Sequence, residues 1–82
     1  MTVNVAEAYL EMVGETSKLA RQMVYLEDSA RQAYERRLWS VVGELHEQRS
    51  EVQAYRSELL RELWTWRRRY RRYLWREGHL DG

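Results

Sequence analysis

An all-α fold is predicted by three features of this 82-residue chain: no proline, an apolar stripe recurring in steps of three and four, and a composition rich in Ala, Glu, Leu, Arg and Gln. The stripe runs through Leu19, Met23, Leu26, Ala30, Tyr34, Leu38, Val41, Leu45, Val52, Tyr55, Leu59, Leu63, Trp66, Tyr70 and Tyr73, with Gln48 in its one gap. At about 100° per residue these positions keep to a face roughly 120° wide, which suits helices and argues against strands. The mean step lies closer to 3.6 than to 3.5. That fits nearly straight helices better than the strict heptad of a left-handed supercoil.

The elements follow from local signals taken in order. Asn4, with Glu7 three positions later and AYLEMV behind it, has the form of a capping box, so a short helix is expected over about residues 4–13. Gly14 offers a C-cap, and Thr16 or Ser17 a fresh N-cap, which predicts a break between them and a long helix over about 17–45. The polar run HEQRSE, with Ser50 and Gln53 spaced as a second capping box, predicts a turn at His46–Ser50. A basic, aromatic helix over about 51–77 and a frayed tail at 78–82 complete the chain.

The expected architecture is a helical hairpin of two long helices plus a short N-terminal helix, one domain, assembled into an oligomeric bundle. The alternative is one long continuous helix in a coiled-coil oligomer, because neither Gly nor Pro marks residues 46–50. Both arrangements need a second copy: the chain is near the size at which one core barely suffices, and with no Cys it has no disulfide or thiolate metal site to compensate. The expected oligomer core is Leu19, Met23, Leu26, Leu38, Val41, Leu45, Val52, Tyr55, Leu59, Leu63, Trp66, Tyr70 and Tyr73. A hydrophobic fraction of 44% argues against disorder. No apolar run approaches the roughly 20 residues of a membrane span and no leader pattern is evident, so a cytoplasmic protein is expected. The preference for Arg over Lys fits a GC-rich bacterial or phage genome, or selection for bidentate guanidinium chemistry.

The chemistry of sites points away from an enzyme. His46 and His79 stand far apart, and His46 lacks the second histidine of a helical zinc motif. Serines are scattered outside any nucleophile context, glycines are isolated, and carboxylate pairs such as Glu7 with Glu11 have the spacing of solvated helix neighbours. No catalytic residue, metal site, cofactor or small-molecule substrate is expected.

The one strong bias lies in Leu59–Glu77, which holds three of the four tryptophans and seven of the thirteen arginines. Residues 1–58 carry seven basic and ten acidic side chains, and residues 59–82 seven and three, so a net −3 segment precedes a net +4 segment. The pairs Arg67–Arg71, Arg68–Arg72 and Arg72–Arg76 each cost a helix about 0.2–0.5 kcal/mol. Counter-charge must come from elsewhere. Acids at Glu7, Glu11, Glu15, Glu27 or Asp28 could supply it in an antiparallel fold, as could an acidic protein surface, nucleic acid phosphates or, least of all, an anionic membrane surface. On a helical wheel Trp64, Arg67, Arg68, Arg71, Arg72 and Trp75 share a sector, with Arg68–Trp64 and Arg71–Trp75 as cation–π pairs. That sector is the expected partner-binding face of a self-associating adaptor or regulator that docks an acidic protein. A small nucleic-acid-associated regulator is the alternative.

Overall fold

The computed structural model describes residues 4–76, with Trp75 and Arg76 described by backbone alone. Two 31-residue helices, α1 (Val5–Glu35) and α2 (Trp39–Arg69), form an antiparallel hairpin, and a short helix α3 (Arg71–Arg76) follows a bend at Tyr70 and touches α1. Each long helix extends about 46 Å at 1.5 Å per residue, which accounts for most of the 53 Å long axis of a body 21 Å across. The expectation of two long helices and one short one matches the architecture, but the short helix is C-terminal and the boundaries move.

The hairpin is built on a seam that the stripe above only approximates. On α1 the residues turned from solvent include Val5, Tyr9, Met12, Thr16, Leu19, Met23, Leu26, Ala30 and Ala33, in alternating steps of three and four, with buried Ala6 and half-buried Ala8, Val13, Glu15, Ala20 and Ser29 beside them. On α2 they run Val42, Leu45, Arg49, Val52, Arg56, Leu59, Leu63, Trp66 and Tyr70, with the same alternation. Both rows keep a strict 3.5 repeat, the spacing of left-handed coiled coils, in place of the 3.6 expected from the mean step. Two arginines occupy apolar slots, and the sequence reading had put Gln48 where Arg49 belongs.

The two seam arginines fix how the helices align. Arg49 Nε donates to Glu27 Oε1 at 2.6 Å and an Arg49 Nη to Gln53 Oε1 at 3.1 Å, while Arg56 Nε donates to the carbonyl oxygen of Thr16 at 3.1 Å. In that antiparallel alignment Ala30, Ala33 and Val42 lie beside the turn, and Val5, Tyr9, Trp66 and Tyr70 at the open end. Side-chain volume in the seam therefore rises from the turn toward the open end. Leu19, Leu26, Ala30, Ala33 and Leu63 are buried, whereas Met23, Leu45, Val52, Leu59, Trp66 and Tyr70 are half-buried. Leu38, Val41, Tyr55 and Tyr73 of the expected oligomer core are exposed in the single chain, because one neighbouring helix covers only one side of α2.

Three boundaries differ from expectation for physical reasons. No break falls at Gly14–Ser17: α1 starts at Val5, capped by Asn4 Oδ1 accepting from the Glu7 N–H at 3.1 Å, and runs on through Gly14. The seam row continues across that point, and Thr16 turns its hydroxyl onto the Val13 carbonyl at 2.8 Å instead of capping a new helix. No turn falls at His46–Ser50 either, since Leu45, Arg49 and Val52 carry the seam straight through α2. The chain turns where the seam runs out. After Ala33 the next two seam positions would be Arg37 and Ser40, both polar, and the polypeptide reverses at Arg36–Leu38. The expected helix 51–77 ends early at Arg69, and the tail 78–82 lies outside the described residues.

The turn is a Schellman closure with an unusual occupant. The Leu38 N–H donates to the Ala33 carbonyl at 2.9 Å and the Arg37 N–H to the Tyr34 carbonyl at 3.0 Å, with Arg37 in the left-handed region at φ 59°. Leu38 then starts α2 with no side-chain cap, its carbonyl accepting from Val42 at 3.0 Å. An edge-to-face contact between Tyr34 and Trp39, centroids 5.1 Å apart, clasps the turn. Arginine pays a steric cost at positive φ that glycine avoids.

Two stability predictions follow from these positions, each to be read from urea denaturation at one fixed chain concentration. Arg37→Gly should stabilise the fold by about 0.5–1 kcal/mol, and Gly14→Ala and Gly43→Ala, whose added methyls meet no atom within 4 Å, by about 0.5–1 kcal/mol each. Arg56→Leu should raise the midpoint by filling the seam slot with apolar volume. Arg56→Ala should lower stability by about 1–2 kcal/mol, because it removes the charged donor without replacing its bulk.

Candidate functional site

The basic aromatic segment occupies the open end of the hairpin, where α2 finishes and α3 begins. Its seam residues Leu63, Trp66 and Tyr70 face α1, and Trp66 and Tyr70 stack at 5.1 Å with Tyr73 continuing the cluster at 6.2 Å from Tyr70. The Tyr70 N–H closes α2 on the Trp66 carbonyl at 2.8 Å and the Leu74 N–H opens α3 on the Tyr70 carbonyl at 3.0 Å, so Tyr70 (φ −113°, ψ 26°) is the bend at which one helix ends and the next begins. Leu74 is 0% exposed, the most completely buried large side chain among the described residues. It was missed in the sequence, although Leu63, Trp66, Tyr70 and Leu74 follow the helical spacing.

The residues expected to form a partner-binding face fall as follows. Arg67 and Arg68 lie on α2 and Arg71 and Arg72 on α3, all exposed, and Trp64 is 61% exposed on α2. The bend interrupts the single sector drawn on the wheel, so Arg67 and Arg68 stand on one helix axis and Arg71 and Arg72 on another. Trp75 belongs to α3, but its side chain lies outside the described residues. At the same level of the hairpin α1 exposes Leu10, and Leu60 is exposed one turn before Trp64. The result is an apolar patch bordered by guanidinium groups.

Counter-charge from the chain's own acids is not made at this end among the described residues. Glu27 is taken by Arg49 and Asp28 by Arg31 at 2.7 Å, both nearer the turn. The antiparallel fold does carry Glu7, Glu11 and Glu15 to the arginine-rich end. Yet among the described residues none of Arg67, Arg68, Arg69, Arg71 and Arg72 forms an ion pair or a hydrogen bond, and no cation–π contact joins Arg68 to Trp64.

Elsewhere the surface offers less chemistry. A shallow groove of about 320 Å³ between the helices is lined by Glu27, Ala30, Arg31, Tyr34, Val42, His46 and Arg49. His46 sits there in mid-helix and exposed, not at a turn as expected, and among the described residues no three metal-binding side chains come together. Among the described residues, no helix is long and apolar enough to cross a membrane. Comparison with protein-family models, with curated proteins and with solved structures finds no match to this chain.

Proposed function

We propose that this chain is a non-enzymatic, self-associating adaptor that docks an acidic protein surface through Trp64, Arg67, Arg68, Arg71, Arg72 and Trp75. One observation carries the reading: the cations at 67–72 are crowded, exposed and, among the described residues, unpaired. Like charges at helical spacing destabilise their own helix, and carboxylates of a partner would relieve that repulsion through charge-assisted hydrogen bonds. Trp64, exposed among them with Leu60 and Leu10 nearby, supplies the anchoring area that interface hot spots use. Self-association is supported by the large apolar side chains left in solvent on both long helices, among them Val24, Tyr34, Trp39 and Tyr55.

Nucleic acid is the second reading, favoured by the same unpaired guanidinium groups beside an indole ring on which a base can stack. A membrane surface has less support, because Leu63, Trp66 and Tyr70 are spent on the seam with α1.

Tryptophan fluorescence during titration with polyglutamate, and with single-stranded and duplex DNA, at about 50 mM salt separates these readings. The adaptor reading expects polyglutamate binding that Arg67→Glu with Arg71→Glu weakens by about tenfold or more, and a light-scattering mass above one chain. Polyglutamate binding indifferent to the charge reversal sinks the docking site, and a stable monomer sinks the self-association. DNA binding that falls with salt at a log–log slope near −0.9 per phosphate contact, without polyglutamate binding, establishes the second reading instead.

A further inference from the structure

Away from Trp64, α2 has another solvent-facing flank whose charges are segregated along its length. Val41 and Tyr55 lie on it, 39% and 51% exposed. Beside them Glu44, Glu47, Glu51, Glu58 and Glu62 form a strip about 60° wide at 100° per residue, every one exposed. Past Glu62 the strip changes sign at Arg69, which closes α2 in line with it, while Arg67 and Arg68 turn toward the Trp64 side. Of these five acids, none makes an ion pair within the chain among the described residues.

We infer that this flank of α2 is the contact between two copies of the chain, packed antiparallel about a two-fold axis near Glu58. The inference rests on the self-association proposed above and adds its face and direction. An isologous contact must be self-complementary, so the same strip has to offer both signs at matched distances from the axis. Antiparallel pairing meets that condition. It lays Glu47 of one copy against Arg69 of the other, twice over by symmetry, while Tyr55 lies near the axis beside the half-buried edge of Leu59. Parallel pairing would instead stack five acids on five acids and arginines on arginines, which opposes association. Glu58, meeting its own copy, is the one like-charge contact. The Trp64 patch lies on the opposite flank of α2, so both copies keep it open to a partner.

Single-cysteine variants test the direction cleanly, because the chain has no cysteine of its own. Full-length Glu58→Cys, Glu44→Cys, Glu47→Cys and Arg69→Cys proteins would be treated with a short bismaleimide. The inference expects Glu58→Cys to yield covalent dimer, Glu44→Cys and Glu47→Cys alone to yield little, and a mixture of Glu47→Cys with Arg69→Cys to yield the mixed dimer. Its counterpart in solution is a rise in the dimer dissociation constant of about tenfold or more for Glu47→Arg, reversed when Arg69→Glu is added in the same chain. Efficient linking of Glu44→Cys to itself means parallel chains and overturns the inference. A dimeric mass with no linking at Glu58→Cys and no rescue by the paired reversal overturns it too, while leaving self-association standing through another face. A monomer at every concentration overturns both.

Discussion

Everything in this fold depends on two seam rows staying in step. Neither long helix would persist alone in water at this length with this many exposed charges, since tertiary packing of an apolar face supplies most helical stability. Here that face is narrow, and two of its nine slots on α2 are arginines. Those arginines weaken the seam as a hydrophobic surface, yet they convert a row that could slide into one with a fixed alignment, as polar residues at core positions of coiled coils do. Arg49 finds its carboxylate at Glu27, and Arg56 its carbonyl at Thr16, only in this alignment of the two helices. The placement of the basic end beside the start of α1, and with it the whole candidate site, is set by that alignment.

The narrow seam also explains the surface. A hairpin gives each helix one neighbour, so only one side of α2 is covered and Leu63 is the one fully buried residue on it among those described. The remaining apolar side chains fall on two flanks of different character: Leu60 and Trp64 border arginines, whereas Val41 and Tyr55 border glutamates. A flank of one sign suits a foreign partner of the opposite sign. A flank that changes sign along its length suits its own copy.

The helical class and the presence of two long helices and a short one were legible from periodicity, because a stripe in steps of three and four survives small errors of phase. The turns were not, and the reason is specific. The Asn4 cap formed where its pattern placed it, but Gly14 and the Ser50–Gln53 pattern are equally local signals, and each lost to a seam that continued across it; Gly14 simply faces open space. The true reversal carries Arg37 at the left-handed position, where sequence reasoning looks for Gly or Asn. A polar break in the seam at Arg37 and Ser40 was the available signal, and it is visible only once the row is traced through Val42 and Arg49 instead of Val41 and Gln48. The basic aromatic character of Leu59–Glu77 was legible in the sequence, but the bend at Tyr70 could not be read from composition, and the burial of Leu74 depends on α3 returning to α1.

The gradient of side-chain size along the seam has a kinetic meaning. Closing the hairpin from Arg36–Leu38 costs little loop entropy, because only three residues separate the helices, and the alanines next to the turn can meet before the larger residues are ordered. Each further layer then zips onto the last, ending with Tyr9, Trp66 and Tyr70. Opening follows the reverse order, from the end where the arginines repel one another. Amide protection should therefore be graded along the hairpin, highest beside the turn and lowest beside Tyr70, so that the end bearing the basic aromatic segment is also the one that can rearrange without unfolding the rest.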